Sequence, residues 1–496
     1  MPDRDALPRY GHYIDGAVAA PSAGTYFATE NPYTGRPWAM IARGSAADVD
    51  RAVAAARAAG QSGAWSGLSA TARGRLLRKV GDLIAANAGR LAETEMRDNG
   101  KLAAEVTTQV RYVAEYFHYY AGLADKLQSD VIPTDKAGVF AYTKYEPKGV
   151  IAIITPWNSP LALTTWKLAP ALAAGCTTVI KPSEFTSASM IELAQLFGEA
   201  GFPPGVVNVV TGFGAEVGEP LVLHPDVAHI GFTGGEAAGQ KIYELAARNF
   251  KTVTLELGGK SPNIVFDDAD LDQAVKGVVS GIFAASGQTC LAGSRLLLQR
   301  SIHDRFVERL VAFVGAAKMG DPTQPDTQIG PIATRPQFEK IMRYIAIAKQ
   351  EGATCVLGGQ GGPGASGGLF VAPTIFTGVD NRMRIAQEEV FGPVLCVIPF
   401  DDEQDAIRIA NDIPYGLAAG VWTQGLHRAM LMADRIQAGT VWINNYRATS
   451  FTSPFGGYKR SGIGRESGVE TIKEYVNTKC VWISTDLNVS NPFIRR

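Results

Sequence analysis

The amino-acid sequence predicts an α/β fold with three parts: a Rossmann-like, doubly wound domain, a second α/β domain and a small β-arm. The first observation is a series of short apolar runs separated by helical stretches. The runs are Val150–Ile154, Thr177–Ile180, Val206–Val210, Val227–Phe232 and Thr252–Leu257. Such alternation is typical of a parallel sheet that helices cover on both faces. Ligands of these sheets bind at the carboxyl ends of the strands.

A second α/β unit begins near Ser261, where the pattern predicts a strand at 263–266 and a helix at 269–285, and a glycine-rich surface loop is expected at 358–368. Residues 127–146 interrupt the helical pattern and predict a β-arm, for which the β-rich tail is a candidate partner. The expected domains are a cofactor domain (1–126 and 147–257), a catalytic domain (258–470) and an oligomerisation arm and tail (127–146 and 471–496).

Before the arm, residues 10–40 predict short strands and turns, and the pattern from Ser45 onward is helical. Ser45 and Asp48 have the spacing of a capping box, and the alanine-rich stretch behind them predicts a helix that ends near Gly60. Further helices are expected at 70–88, 90–99 and 103–126. The last one carries aromatic residues at helical spacing, which either pack on a core or line a substrate channel: Tyr112, Tyr116, Phe117, Tyr119 and Tyr120.

Composition argues against several classes of partner. The 47 basic and 48 acidic residues nearly cancel, which gives no electrostatic case for nucleic acid or an anionic membrane. The five cysteines are scattered without a CxxC pair, so neither a disulfide framework nor a structural zinc site is predicted. The N-terminal stretch lacks the apolar region of a secretory signal, and no run reaches the roughly 18 apolar residues of a membrane span. We expect a cytoplasmic protein without a bound metal.

Cys290 and Glu256 are the candidate catalytic residues. Small residues such as Gly287 and Gly293 surround Cys290 and leave room for a carbonyl group, although most cysteines are buried structural hydrophobes. A free thiol is only a few per cent ionised near neutrality and needs a base. Glu256 ends an apolar strand and supplies a carboxylate for that purpose; a salt bridge with Lys260 is the structural alternative.

Polar residues also follow the first two strands of the parallel series. Asn158 could donate its amide to an oxyanion, or cap a loop. Lys181 and Glu184 stand where both could hold a ribose diol. The strict G-x-G-x-x-G fingerprint is absent, and the nearest stretches are Gly212-Phe213-Gly214 and 231–235. The second opens a predicted helix, where backbone N–H groups could meet a pyrophosphate.

Seven short motifs stand in order along nearly the whole chain. They are TPWN at 155–158, KPSE at 181–184, GFTG at 231–234, ELGGK at 256–260, GQTC at 287–290, EEVFGP at 388–393 and PFGGYKRSGIGRE at 454–466. Together they resemble the NAD(P)-dependent aldehyde dehydrogenase superfamily. The resemblance implies that Cys290 attacks an aldehyde, that Asn158 and the Cys290 N–H hold the oxyanion, and that Glu256 activates water to hydrolyse the thioester left after hydride transfer. Lys167 and Glu466 match positions that the family links to a proton path or to support behind the base.

The same resemblance implies a nicotinamide dinucleotide. Glu389 matches the residue that binds the nicotinamide ribose, Phe391 the one that packs beside the nicotinamide, and Lys181 and Glu184 the adenosine-ribose contacts. Because a carboxylate there would repel a 2′-phosphate, we expect NAD over NADP, with NADP left open. The other expected cofactor contacts are Thr155, Trp157, Ser183, Gly212, Phe232, Thr233, Gly234, Gly235, Leu257 and Gln337. Many members have serine where this chain has Gly235, so one hydroxyl contact to the pyrophosphate is missing.

The substrate contacts are expected at the family's variable pocket positions. They are Trp166, Thr289, Leu291, Arg447, Thr449 and Phe455. Betaine-aldehyde members hold a quaternary ammonium in an aromatic cage, whereas Ser159, Ala284 and Thr449 stand here where cage aromatics would be needed. We expect instead a polar or carboxylate-bearing aldehyde that pairs with Arg447. An ordinary surface arginine is the alternative, and a betaine-type or aliphatic aldehyde stays open as the substrate.

Other reactions and functions leave motifs unexplained. CoA-acylating relatives pass the acyl group to CoA and need no water-activating glutamate at position 256. A cofactor-free cysteine hydrolase does not explain KPSE or EEVFGP, and a non-catalytic protein of the same fold does not explain Cys290, Glu256 and Asn158 together. The resemblance also implies a homodimer or homotetramer that assembles through the arm and the terminal strand.

Overall fold

The computed structural model describes residues 6–486 and 491–494. Short strands and helices make up the N-terminal part: β1 (Arg9–Tyr10), β2 (His12–Ile14), β3 (Ala17–Ala19), β4 (Tyr26–Asn31), β5 (Arg36–Ala42), α1 (Ala46–Gln61), α2 (Gly63–Ser66), α3 (Ala70–Ala86), α4 (Ala88–Asn99) and α5 (Ala103–Leu123). The capping box of α1 is confirmed, since the Asp48 carboxylate accepts the Ser45 N–H at 3.0 Å.

Regular β–α alternation follows in the middle of the chain. The elements are β6 (Val131–Ile132), β7 (Val139–Pro147), β8 (Val150–Ile154), α6 (Pro160–Ala174), β9 (Thr177–Lys181), α7 (Ala188–Ala200), β10 (Val207–Val209), a π-helical turn (Gly214–Gly218), α8 (Glu219–Leu223), β11 (Val227–Thr233), α9 (Glu236–Ala247) and β12 (Thr252–Glu256). The fully buried strands β8 and β9 flank the almost fully buried helix α6 in sequence. Gly175 ends that helix in a left-handed conformation, as glycine does at many helix C-termini.

The C-terminal part begins with β13 (Pro262–Val265), α10 (Leu271–Ile282), a 3₁₀ turn (Ala284–Gly287), β14 (Arg295–Gln299), a second 3₁₀ turn (Arg300–Ile302), α11 (His303–Gly315), α12 (Arg335–Gln350), β15 (Thr354–Leu357), β16 (Gly361–Pro363), β17 (Leu369–Val371) and β18 (Thr374–Thr377). It continues with α13 (Arg384–Gln387), β19 (Val394–Phe400), α14 (Glu403–Asn411), β20 (Tyr415–Gly416), β21 (Ala418–Trp422), α15 (Leu426–Arg435), β22 (Thr440–Ile443), β23 (Tyr458–Lys459), β24 (Gly462–Ile463), a 3₁₀ stretch (Glu470–Tyr475) and β25 (Val476–Ser484).

The first large sheet has the strand order β24-β12-β11-β8-β9-β10-β2-β3. The predicted parallel series is confirmed, because β12, β11, β8, β9 and β10 all pair in parallel. Both edges are antiparallel, which the β–α pattern did not predict: the β2–β3 hairpin pairs with β10, and β24 pairs with β12. At the second edge Gly462 lies opposite Glu256, so the segment assigned to the catalytic domain returns to the first sheet beside the candidate base.

The second large sheet has the order β15-β18-β19-β14-β13-β21-β22. Its strands pair in parallel except for β15, which is antiparallel to β18. Sequence patterns missed β15 and β18. The expectation of a plain loop at 358–368 is partly wrong, because Gly361–Pro363 pairs with Leu369–Val371 in a small hairpin. Backbone hydrogen bonds form this ladder, and its glycine and proline residues do not show the side-chain pattern from which a strand is predicted.

The arm and tail form a third sheet of order β25-β7-β6. The predicted pairing of tail and arm is confirmed over its full length, from Val476 opposite Pro147 to Ser484 opposite Val139. Apolar side chains on this sheet are exposed, among them Val131 at 67% and Trp482 at 57%. Assembly through this sheet stays a prediction, as do the three domain ranges. Within residues 6–486 and 491–494, no helix is long and apolar enough to cross a membrane.

Candidate active site

Three predicted catalytic residues meet in one cavity of about 130 Å³, at the carboxyl ends of β8, β11 and β12. Asn158 arrives from the turn after β8, Glu256 from the last position of β12, and Cys290 from the loop between α10 and β14. Asn158 and Glu256 converge because parallel strands end at the same edge of a sheet, and the loop before β14 of the second sheet brings Cys290 to that edge.

The Cys290 loop is pinned by a close backbone contact. Gly287 has a φ of 70°, and a Cβ at this position would lie 2.1 Å from the carbonyl oxygen of Gly392. Only glycine therefore fits between the GQTC loop and the EEVFGP loop. The two motifs interlock, and this contact fixes the nucleophile against the wall that carries Glu389 and Phe391.

Asn158 points its amide toward the same loop. Its Nδ2 donates a hydrogen bond to the carbonyl oxygen of Gln288 at 3.1 Å, and the residue is only 6% exposed. A side-chain amide carries two N–H donors, so one remains for an oxygen that develops charge beside Cys290.

Glu256 is a buried carboxyl group without a hydrogen-bond partner among the described residues. Burial, followed by the negative charge of Glu466, raises its pKa well above the ordinary value, and the Lys167 ammonium offsets part of this effect. Lys167 lies 2.9 Å from Glu466 and also donates to the Thr233 hydroxyl. The alternative in which Glu256 pairs with Lys260 is wrong: the described structure contains no such salt bridge, and the Lys260 ammonium is buried without a hydrogen-bond partner in it.

The Cys290 thiol is protonated in this environment. Burial and the charges of Glu256 and Glu389 raise its pKa to about 12, although the residue as a whole keeps some exposure to the cavity. A thiol with this pKa is a weak nucleophile at neutral pH, so attack on a carbonyl needs a group that removes the proton.

A second cavity, of about 360 Å³, continues from the first along the sheet edge. Lys181, Ser183 and Glu184 lie on one side of it, while Gly234 and Gly235 lie on the other side, where α9 begins. The Lys181 ammonium lies 3.6 Å from the Glu184 carboxylate. Predicted cofactor residues that line this cavity are Thr155, Trp157, Lys181, Ser183, Glu184, Phe232, Thr233, Gly234 and Gly235.

The remaining predicted cofactor residues line the smaller cavity, with one exception. Leu257, Gln337, Glu389 and Phe391 are in its wall. Gln337 donates from Nε2 to the Val390 and Phe391 carbonyl oxygens at 2.8 and 2.9 Å, and thereby holds that loop.

Gly212 is the exception, since it lines neither cavity. Its φ is 142°, and a Cβ there would lie 2.7 Å from the Val217 side chain and 3.1 Å from the Gly44 nitrogen. Close backbone packing thus accounts for this glycine without a cofactor contact.

A third cavity, of about 700 Å³, contains half of the predicted substrate contacts. Trp166, Arg447 and Thr449 line it, and Tyr112 and Tyr116 of α5 form part of its wall, as the channel interpretation of the aromatic helix requires. Tyr116, Phe117 and Tyr120 of the same helix are buried in the core, which confirms the core interpretation for these residues, and the substrate channel stays a prediction.

The other three predicted contacts do not line the third cavity. Leu291 and Phe455 are buried in the hydrophobic core, at 9% and 5% exposure. Phe455 packs edge-on against Trp166 at 5.3 Å and so supports the wall from behind. Thr289 flanks Cys290, but it lines none of the three cavities.

Sequence reasoning missed the charged residues of the third cavity. Lys101 donates to Gln109 at 3.1 Å and to the Ser159 hydroxyl, and Glu105 lies on the same wall. Arg447 is held by a 3.2 Å hydrogen bond to the Ser280 carbonyl oxygen, and burial lowers its pKa while the Glu105 charge opposes that change. Arg447 is therefore not a freely solvated surface residue. Lys101 follows the helix stop Asn99-Gly100, and its position after a turn gave no signal of a pocket.

Comparison with known proteins identifies the family. The profile of the aldehyde dehydrogenase family matches residues 18–481, and the chain belongs to this family. It is 47% identical over 489 residues, 98% of each chain, to a (Z)-2-((N-methylformamido)methylene)-5-hydroxybutyrolactone dehydrogenase from Acinetobacter baylyi. A crystal structure of betaine aldehyde dehydrogenase from Staphylococcus aureus in complex with NAD+ is similar over 99% of this chain and 98% of that one, with a TM-score of 0.97 and 40% identity. An NAD+ complex of aldehyde dehydrogenase from Bacillus cereus has a TM-score of 0.94 and 42% identity over 98% and 99% of the two chains. The predicted family and fold class are confirmed.

The raised thiol pKa predicts slow alkylation of Cys290. In a Cys480→Ser background, which removes the exposed thiol, the rate of reaction with iodoacetamide should still rise up to about pH 10, because the thiolate forms only at high pH. Mass spectrometry of the Cys290 peptide measures this rate. Glu256→Gln removes a neighbouring negative charge and should move the curve to lower pH. A rate that levels off near the ordinary thiol pKa, about 8.5, would contradict the assignment.

Proposed function

We propose that this protein oxidises an aldehyde to the free carboxylic acid with NAD, through a covalent intermediate on Cys290. The observation that carries the proposal is the shared cavity of Asn158, Glu256 and Cys290, whose wall also includes Glu389 and Phe391. A nucleophile, an oxyanion donor and a base stand there beside a wall suited to a nicotinamide ring.

The residues present fit NAD. A Cβ at Gly235, at the start of α9, would meet nothing within 4 Å, so there is room for a pyrophosphate at the N–H groups of this helix. Glu184 would accept hydrogen bonds from the adenosine ribose hydroxyls, and its negative charge disfavours binding of a 2′-phosphate. Glu389, whose carboxylate accepts the Gly259 N–H at 3.1 Å, would hold the second ribose. When bound, NAD supplies the oxidant, because its nicotinamide ring accepts a hydride. The NAD+ complexes of the two related structures support this choice.

Different residues of this chain carry out the steps of the covalent reaction. Cys290 Sγ bonds to the aldehyde carbon to give a thiohemiacetal, while Asn158 Nδ2 and the Cys290 N–H donate to the carbonyl oxygen. Oxidation of that carbon leaves a thioester. Glu256 then takes a proton from water as the water oxygen bonds to the acyl carbon, and the acid leaves as the thiol is restored.

The raised pKa of Glu256 suits a group that must accept a proton near neutral pH. We propose that Glu256 also deprotonates Cys290 before attack. The buried ion pair of Lys167 and Glu466 lies behind Glu256 and would pass that proton onward or keep the base in place. A base beside the thioester favours release to water over transfer to CoA.

The third cavity supports a polar, carboxylate-bearing aldehyde as the substrate. Arg447 and Lys101 both line it, and either cation would pair with a carboxylate tail. A quaternary ammonium would find aromatic surface on Tyr116 and Trp166, which stack at 5.9 Å, but the two cations would repel it. The Acinetobacter relative, whose name denotes a polar, oxygen-rich lactone, is in keeping with a polar pocket.

Assembly into a homodimer or homotetramer belongs to the same proposal. The exposed apolar residues Val131, Phe140 and Trp482 on the β6–β7–β25 sheet support it, because exposed apolar side chains of this size favour a contact with a second copy.

Purified protein with NAD should form NADH from at least one of a panel of short, aromatic, amino- and carboxy-aldehydes. Absorbance at the NADH band measures the rate, and the same wells with NADP should be slower because of Glu184. Cys290→Ala should reduce the rate to background, since no covalent intermediate can form. NADH formation that persists in this variant would contradict the proposal, and so would the absence of NADH with every aldehyde.

Arg447→Ala should lower kcat/KM for carboxy-aldehydes by about 10- to 100-fold, the loss expected for one charge-assisted hydrogen bond. Neutral aldehydes of the same length should be unaffected. Arg305→Ala, at an exposed position on α11, is the matched control for loss of an arginine. If acidic and neutral aldehydes lose the same factor, Arg447 does not select the carboxylate.

A further inference from the structure

A left-handed turn stands directly before the nucleophile. Ala285, Ser286 and Gly287 have φ values of 51°, 52° and 70°. This conformation is sterically unfavourable for residues other than glycine, so Ala285 and Ser286 adopt it only where their surroundings hold them. Because Cys290 follows closely, the turn determines where the thiol enters the cavity.

Two side chains hold the turn, Ser286 from within it and Glu105 from α5. Ser286 Oγ donates to the Gly330 carbonyl oxygen and accepts the Gly330 N–H, both at 3.0 Å. Glu105 of α5 accepts the Ala285 N–H at 2.9 Å with one carboxylate oxygen. The other carboxylate oxygen is buried and has no hydrogen-bond partner within the described part of the chain.

Glu105 also belongs to the wall of the third cavity. It shares that wall with Lys101 and Arg447, and its negative charge acts on both cations: burial lowers their pKa values, and Glu105 opposes this change. One side chain thus contacts the loop of the nucleophile and faces the region where the substrate tail is proposed to bind.

We propose that Glu105 is a positioning residue for Cys290: its carboxylate holds the Ala285–Gly287 turn in the left-handed form and thereby aligns the thiol with Asn158 and Glu256. The catalytic consequence rests on the proposed function, whereas the restraint on the turn does not. Glu105 acts through the backbone of Ala285, so its removal affects kcat more than KM.

The first test measures the turn without aldehyde or cofactor. Hydrogen–deuterium exchange of the peptide that spans 284–290 should become about tenfold faster in Glu105→Ala, because the Ala285 N–H loses its acceptor. Glu105→Gln keeps an acceptor oxygen and should exchange like the wild type. Glu115→Ala, at an exposed position on the same helix, is the matched control. Unchanged exchange in Glu105→Ala would overturn the proposal even if no aldehyde were oxidised.

The second test measures catalysis. In Glu105→Ala, kcat should fall about 10- to 100-fold for acidic and neutral aldehydes alike, with KM nearly unchanged, because a small displacement of the thiol costs that much. Glu105→Gln should restore most of kcat. In Glu105→Ala, the additional substitution Ala285→Gly should restore part of kcat, because glycine adopts the left-handed conformation without a steric clash.

If the wild-type protein is active, three results would overturn the proposal. These are an unchanged kcat in Glu105→Ala, a rise in KM alone, and a Glu105→Gln variant as impaired as Glu105→Ala. If Glu105→Ala does not fold, Glu105→Asp replaces it, since its shorter carboxylate cannot reach the Ala285 N–H and the same losses are expected.

Discussion

The active site depends on burial of a carboxyl group that the protein leaves without a hydrogen-bond partner among the described residues. Glu256 is 4% exposed, and its own hydrogen-bonding capacity is unused there. Burial of a polar group in this state costs free energy, and it raises the pKa of Glu256 because the charged form is the more costly one to bury. The same raised pKa makes the carboxylate, once formed, a competent base. The unfavourable burial of Glu256 thus raises its pKa, and its proposed role as a base depends on that raised pKa.

The neighbouring groups share this constraint. Cys290 has a raised thiol pKa because it is buried beside Glu256 and Glu389, so the thiol is protonated near neutral pH. Lys167, which is paired with Glu466, supplies a positive charge that offsets part of the rise in the Glu256 pKa. Backbone contacts then provide rigidity, above all the approach of Gly287 to Gly392, which fixes the Cys290 loop against the wall that carries Glu389 and Phe391.

Sequence predicted the parts of this site that lie in local motifs at strand ends. Asn158 and Glu256 meet because β–α alternation predicts parallel strands, and parallel strands bring the residues at their carboxyl ends to one edge, whereas Cys290 reaches this edge from the second sheet. The predicted cofactor residues line the two adjoining cavities, except Gly212, whose conformation reflects packing. The pairing of β2 and β24 with this sheet was not predicted, because pairing across long sequence separations has no local signature.

Two charged residues that line the third cavity, Glu105 and Lys101, were also not identified from the sequence. Glu105 and Lys101 belong to the start of a helix, where a charged residue ordinarily faces solvent. Their role depends on how α5 packs against the Cys290 loop, which no spacing in the sequence reveals. Conversely, Leu291 and Phe455 were predicted as contacts because they flank motif positions, yet their side chains turn into the core. Proximity in sequence did not determine the direction of the side chain.

The central claim is that Cys290 carries the acyl group and Glu256 releases it, and the mass of the protein tests this most directly. Glu256→Gln, mixed with NAD and a substrate aldehyde, should slowly gain the mass of one acyl group on the Cys290 peptide, because the thiolate is scarce without this base, and should form a single equivalent of NADH without turnover. The double variant with Cys290→Ala should gain no mass. A Glu256→Gln enzyme that turns over at the wild-type rate without an acyl adduct would contradict the account.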